Sequence, residues 1–168
     1  MTTTPATAAV TTVFTDGACQ GNPGPGGWAW AVAPDGKVWG SGGERRSTNQ
    51  RMEVNAVLQA LRSLDGDLLI VSDSTYVVHC FRDGWWKKWQ TNGWKNSQKQ
   101  AVANTDLWKP LIELYLQRRP AFRWVKGHSG DPMNDLVDRL AVAAANGPYV
   151  DDVPQSERTA AQPSLFDD

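Results

Sequence analysis

The run Leu68-Leu69-Ile70-Val71 is continuous, apolar and of strand length, and it ends in Ser72-Asp73-Ser74. A run with no polar alternation belongs to a strand covered on both faces. Such a strand needs elements to cover it, and the preceding segment supplies one. From Arg51 to Leu64 the residues Val54, Val57, Leu58, Leu61 and Leu64 recur at helical spacing, which predicts an amphipathic helix crossing to that strand. Ala121 to Val125 reads as a later strand reached through another helix, and connections of this kind imply parallel pairing. Strands near 11–16, 28–33 and 37–43 are separated by a glycine-rich loop and by Pro34-Asp35-Gly36, a hairpin signal, so these three are expected to run antiparallel. Asp131-Pro132 opens a last helix, with an N-cap followed by proline in the first turn. The expected fold is α/β. It has a mixed five-stranded sheet, three antiparallel strands and then two parallel ones, with helices on both faces.

Four acids stand where this layout would normally avoid a charge. Asp16 follows the strand-like Thr12-Val13-Phe14-Thr15, and Asp73 follows Leu68–Val71, so both are expected at strand exits, plausible neighbours where α/β sheets place ligands. Glu53 lies on the edge of the helical stripe beside Met52, Ala56 and Ala60, and Asp138 falls among Leu136, Val137, Leu140 and Ala144. Carboxylates sharing one pocket repel one another and take up protons unless a cation intervenes. No single Lys or Arg is placed to pair all four, whereas divalent metal would resolve the conflict. Each acid also has a plainer reading: Asp16 as a turn residue before Gly17, Asp73 as an N-cap, Glu53 and Asp138 as solvated helix positions.

The text around the acids carries more. Thr15-Asp16-Gly17-Ala18-Cys19, Gly21-Asn22-Pro23-Gly24-Pro25-Gly26-Gly27, Thr48-Asn49-Gln50-Arg51-Met52-Glu53, Ser72-Asp73-Ser74, Trp124-Val125-Lys126-Gly127-His128-Ser129-Gly130 and Asn134-Asp135-Leu136-Val137-Asp138 occur in that order. Together they closely resemble type 1 ribonuclease H in its bacterial form, from about residue 12 to 146. The resemblance implies a ribonuclease H-like fold and an endonuclease that hydrolyses the RNA strand of RNA/DNA hybrids. It further implies that Asp16, Glu53, Asp73 and Asp138 bind two Mg²⁺ ions, with Mn²⁺ as a substitute, since hard oxygen ligands select such cations. Two ions held close together serve both the attacking and the leaving oxygen of a phosphodiester. His128, in a glycine-bounded loop, has an unperturbed titration range suited to proton transfer, and its family counterpart assists proton transfer or product departure.

Substrate choice rests on other residues. Sensing a 2′-hydroxyl on one strand and the shape of the other is done from the minor groove, by side chains that both donate and accept. By resemblance Asn22, Asn49 and Gln50 contact the RNA sugars and base edges, with Gln50 standing where the bacterial pattern commonly has a second asparagine. Arg46, Thr48 and Asn104 match positions that grip a phosphate of the DNA strand, although Thr48 and Asn49 also suit helix capping. The segment Gly84-Trp85-Trp86-Lys87-Lys88-Trp89-Gln90-Thr91-Asn92-Gly93-Trp94-Lys95 looks like the family's basic protrusion. Within it Trp85 is the expected direct contact, and Trp89, Trp94 and Trp108 are expected supports; His79 reads as a packing or edge residue.

Length and composition limit the rest. The 168 residues, 40% hydrophobic, suit one globular domain. The formal charge of -1 hides an asymmetry, because residues 148–168 hold Asp151, Asp152, Glu157, Asp167 and Asp168 against Arg158 alone, leaving residues 1–147 at a net +3. The expected organisation is a disordered N-terminus at 1–9, a catalytic domain at 10–147 and an acidic disordered tail at 148–168. The tail contains Gln162-Pro163-Ser164-Leu165-Phe166, which resembles peptides that dock bacterial replication proteins on the sliding clamp through Gln162, Leu165 and Phe166. Cys19 and Cys80 make no disulfide framework, and neither a signal peptide nor a membrane-length apolar run is present, so a monomer of the reducing cytoplasm is expected. Two other classes compete. A hybrid-binding module without cleavage would lack one or more of the acids, and a DNA nuclease of the same fold would not need the hydroxyl-sensing segments.

Overall fold

The computed structural model describes residues 9–149. Strands β1 (Thr11–Cys19), β2 (Gly24–Val32) and β3 (Trp39–Ser47) lead into helix α1 (Asn49–Ser63) and strand β4 (Leu68–Ser72). Helices α2 (Thr75–Asp83), α3 (Trp85–Asn92) and α4 (Thr105–Arg118), strand β5 (Ala121–Trp124) and helix α5 (Pro132–Ala145) follow. The sheet order is β3-β2-β1-β4-β5. Pairing is antiparallel across β1–β2 and β2–β3 and parallel across β1–β4 and β4–β5, as the hairpin and crossover signals predict.

The unbroken apolar run of β4 is explained by its two faces. Leu68 and Ile70 join Val54, Val57, Leu58, Leu61, Trp108 and Leu111 in the larger core under α1 and α4. Val71 points the other way and packs with Phe14, Ala31, Met133 and Val137 beneath α5. Strand alternation therefore divides one apolar segment between two cores.

Two strands run further than the sequence expectation. β1 does not end at Asp16: Gly17, Ala18 and Cys19 continue it by pairing with Trp28, Gly27 and Gly26. Three small residues carry no alternating pattern, so periodicity could not reveal them. β3 likewise runs on to Ser47, taking Arg45 and Arg46 into the strand. Gly27 in β2 has a packing role, because a Cβ there would collide with the backbone of Ala141 and Ala145, and its absence lets α5 lie directly on the sheet.

Arg51 ties three elements together at one end of the molecule. Its Nε donates to Glu44 of β3 at 2.8 Å, and its two terminal nitrogens donate to the Asp106 carboxylate of α4 at 2.8 and 2.7 Å. This two-pronged geometry is the strong form of the arginine–carboxylate pair. It holds the Asp106 carboxyl below the usual range.

At the other terminus Tyr149, on the tail side of the boundary drawn from sequence, donates its hydroxyl to the Ala145 carbonyl at 2.6 Å and lies 5.1 Å under the Arg45 guanidinium. The remaining tail and the peptide at 162–166 lie outside the described residues, as do residues 1–8. Among the described residues no helix is long and apolar enough to cross a membrane.

Candidate active site

The sheet register places the first two acids. Thr15 of β1 pairs with Ser72, the last residue of β4. Asp16 and Asp73 therefore stand side by side where the pairing of β1 with β4 stops, with β1 continuing along β2 alone. Asp16 is thus an interior strand residue and is 6% exposed. The turn reading for it fails because its neighbours are in the ladder.

Glu53 is brought in by close packing. A Cβ on Gly17 would run into the backbone of Met52 and Glu53, so only glycine lets β1 touch the first turn of α1. That helix starts at Thr48, whose hydroxyl accepts the Arg51 N–H at 3.2 Å, the capping role expected for it. The Glu53 carboxylate then accepts a 2.6 Å hydrogen bond from Ser74 Oγ. Ser74 also caps α2, accepting the Val77 N–H at 3.2 Å, so Asp73 has no capping duty and its carboxylate is left to face the acids. Asp73 is fixed by its own neighbours. Its carbonyl accepts from Trp124 Nε1 at 3.0 Å, and Oδ2 accepts from Asn134 Nδ2 at 3.3 Å. Asp138 lies half-buried on α5 next to the fully buried Val137.

Their charges interact. Burial, chiefly, and then the Asp73 carboxylate push the Asp16 carboxyl up to about 8, with Asp138 and Glu53 adding in the same direction and the Gly17 N–H opposing. Glu53 is also raised, first by burial, with the Ser74 hydroxyl working against it and Asp73 with it. Among the described residues none of the four is ion-paired to a lysine or arginine. Nor, among the described residues, do any three carboxylate, histidine or cysteine side chains stand close enough together to hold a metal ion between them. The acids thus form an open, electrostatically frustrated set of hard oxygen donors. Their chemistry suits Mg²⁺ or Mn²⁺, whose remaining positions are commonly filled by water and phosphate oxygens.

His128 sits exposed, at φ 56°, in the loop between β5 and α5. The residue before it, Gly127, packs against Asp73: a Cβ there would lie 2.9 Å from Oδ2. The loop is therefore pressed onto the acid cluster, although the sequence alone placed His128 only on a loop.

The residues expected to read the substrate fall into two groups. Asn22 and Asn49 meet, the Asn49 N–H donating to Asn22 Oδ1 at 3.2 Å, and Gln50 is exposed one residue further on. Thr48 and Asn104 occupy the N-cap positions of α1 and α4, whose first turns are joined by the Arg51–Asp106 pair, and Arg46 is exposed on β3 two residues before Thr48. Tyr76 accepts Trp108 Nε1 at 2.9 Å. Trp85 is half-buried with its ring 6.3 Å from that of Tyr76, while Trp89 and Trp108 are buried and Trp94 packs on Trp89, the supporting role expected of them. His79 packs edge-on to Trp85. A cavity of about 290 Å³, lined by Val78, Phe81, Tyr115 and Phe122 among others, shares no residue with the acids. Asp16 is buried and Glu53, Asp73 and Asp138 are half-buried.

Ser74, Asn134, Trp124 and Gly127 support the site without having been singled out as site residues in the sequence. Each lies inside or beside a motif that was, and only their long-range contacts distinguish them.

Comparison with known proteins agrees. The ribonuclease H family model matches residues 8–146. The ribonuclease H of Syntrophomonas wolfei is 48% identical over 133 residues, covering 77% of this chain and 91% of that protein. The ribonuclease H of Moorella thermoacetica is 44% identical over 148 residues, covering 86% and 97% respectively. Among solved structures, LC9-RNase H1, described as a type 1 RNase H with the type 2 active-site motif, superposes with a TM-score of 0.72 at 28% identity, covering 86% of this chain and 75% of that one.

Proposed function

This chain belongs to the ribonuclease H family, and from that premise we propose that it hydrolyses the RNA strand of RNA/DNA hybrids with Asp16, Glu53, Asp73 and Asp138 holding two divalent cations. The observation that carries the assignment is the buried Asp16 standing beside Asp73 where the pairing of β1 with β4 stops, with Glu53 and Asp138 near enough to raise its carboxyl and no basic partner among the described residues. A cluster arranged this way is unfavourable on its own and becomes favourable when positive charge is added. Bound there, Mg²⁺ or Mn²⁺ would supply a hydroxide-like nucleophile and neutralise charge on the attacking and leaving oxygens.

The protein's own groups supply position and recognition. Asp16, within β1, and Asp73, directly after β4, would hold the ions together with Glu53 and Asp138. His128, on the loop whose Gly127 packs against Asp73, serves proton transfer or the departure of product. Asn22, Asn49 and Gln50 meet the 2′-hydroxyls of the RNA strand, and Arg46, Thr48 and Asn104 hold a phosphate of the DNA strand. Trp85 extends the contact along the duplex.

A digest of labelled RNA/DNA, RNA/RNA and DNA/DNA duplexes with and without Mg²⁺ tests the assignment. Only the RNA of the hybrid should be cut, only with metal, and His128→Ala should slow turnover at least roughly tenfold while leaving metal affinity unchanged. Hybrid bound but intact would instead indicate a recognition module, and cleavage of DNA/DNA a different nuclease.

We propose further that the protein works as a cytoplasmic monomer and is tethered to the sliding clamp through Gln162, Leu165 and Phe166. A fluorescent peptide of residues 155–168 should bind purified clamp, and substitution of Leu165 and Phe166 by alanine should abolish that binding. No binding by the unsubstituted peptide removes the tether.

A further inference from the structure

We infer that Asn134 is a positioning residue that holds the Asp73 carboxylate in its working orientation and sets it against Asp138, an inference that rests on the assignment of Asp73 as a metal-holding acid. Asn134 is the third residue of α5 and is 2% exposed. Its backbone N–H is already taken by the Asp131 cap at 3.1 Å, so its side chain is not needed to start the helix. The carboxamide instead reaches across to the residue that follows β4, where Nδ2 donates to Asp73 Oδ2 at 3.3 Å.

That contact fixes the one freedom Asp73 has left. The Asp73 carbonyl is held by Trp124 Nε1, the following N–H is held by Ser72 Oγ at 3.0 Å, and Gly127 packs against Oδ2. With the main chain immobilised on both sides, rotation of the carboxylate is what remains. A donor on Oδ2 stops it and leaves Oδ1 committed to nothing else. Ligating carboxylates are typically oriented by such outer hydrogen bonds.

The orientation of the carboxamide is not optional. Turning it over would set its oxygen against the Asp73 carboxylate, two acceptors facing each other. The cost appears on the other side, where Asn134 Oδ1 is buried and has no hydrogen-bond partner among the described residues. A buried acceptor left unpaired lowers stability, and a residue kept only for folding would avoid it. Asn134 also precedes Asp138 by one helical turn, which puts both on the same face of α5. One hydrogen bond therefore links Asp73, directly after β4, to the helix that carries Asp138.

The test uses the full chain with Asn134→Leu, which keeps the volume and removes both the donor and the orphaned acceptor. Metal-free Asn134→Leu should melt at the same temperature as the parent or higher. Its kcat on hybrid should fall roughly ten- to a hundredfold with KM within about twofold, and its Mn²⁺ affinity by calorimetry should fall at least roughly tenfold. Asn134→Ala gives the same readout if the leucine variant does not fold. Unchanged kcat and Mn²⁺ affinity overturn the inference. So does a fall in melting temperature with Mn²⁺ affinity intact, the mark of a purely structural residue. If the parent cuts no hybrid, the assignment of activity fails, while the Mn²⁺ comparison still reports on Asn134.

Discussion

Asp16→Asn is expected to stop cleavage and, in the same molecule, to stabilise the metal-free fold at pH 8. The loss of activity follows from removing a charged oxygen at the centre of the acid cluster. If that charge accounts for several kcal/mol of the barrier, the rate falls by at least about a thousandfold. The gain in stability follows from the direction of the pKa shift. The Asp16 carboxyl titrates near 8 in the folded protein, against about 3.9 in an unfolded chain. Between those values the folded state holds a proton that the unfolded state has released. The stability associated with this group is therefore complete below about pH 4 and is lost as pH rises to 8. Glu53, raised for the same reason, contributes with the same sign. Urea unfolding in a chelator at about pH 5 and pH 8 should show the parent losing more stability than Asp16→Asn over that interval, and Mg²⁺ should restore the parent at pH 8. Parallel pH dependence of parent and variant would mean that the cluster is not electrostatically strained.

Gly17→Ala is the second large effect, and it acts through packing. The added methyl meets the main chain of Met52 and Glu53, which cannot rotate out of its way as a side-chain tip could. Either β1 or the first turn of α1 must move. Overpacking of this kind costs about 1–3 kcal/mol, and a displacement of the order of an ångström at a catalytic group lowers the rate by about a hundredfold. Denaturation should therefore show a lower urea midpoint and kinetics a lower kcat, with Glu53 displaced from Asp16. A Gly17→Ala protein as stable and as active as the parent would show that the contact between β1 and α1 has room to spare.

How much of this was legible beforehand differs by residue. The apolar run at Leu68–Val71 and the stripe from Val54 to Leu64 announced a covered strand and its crossover helix, and Pro34-Asp35-Gly36 announced the hairpin, because these signals are local and periodic. The end of β1 was not legible, since Gly17, Ala18 and Cys19 are too small to alternate and are held in the strand only by β2. The supports of the acids were least legible of all. Ser74 meets Glu53 across 21 residues, Trp124 meets Asp73 across 51 and Asn134 meets Asp73 across 61. A hydroxyl or carboxamide in the chain says nothing about such a partner.

The amino-acid order by itself decided which segments become strands and helices, and which residue types stand at the edge of the core, because repeat patterns and end signals act over a few neighbouring positions. Only the folded arrangement decided that β1 runs on past Asp16, that a bare glycine admits α1, and that α5 returns across the sheet with Asp138. The protonation of Asp16 is decided there too. It depends on how much water is excluded and on which charges come near through space, and neither is a property of the residue or of its neighbours along the chain.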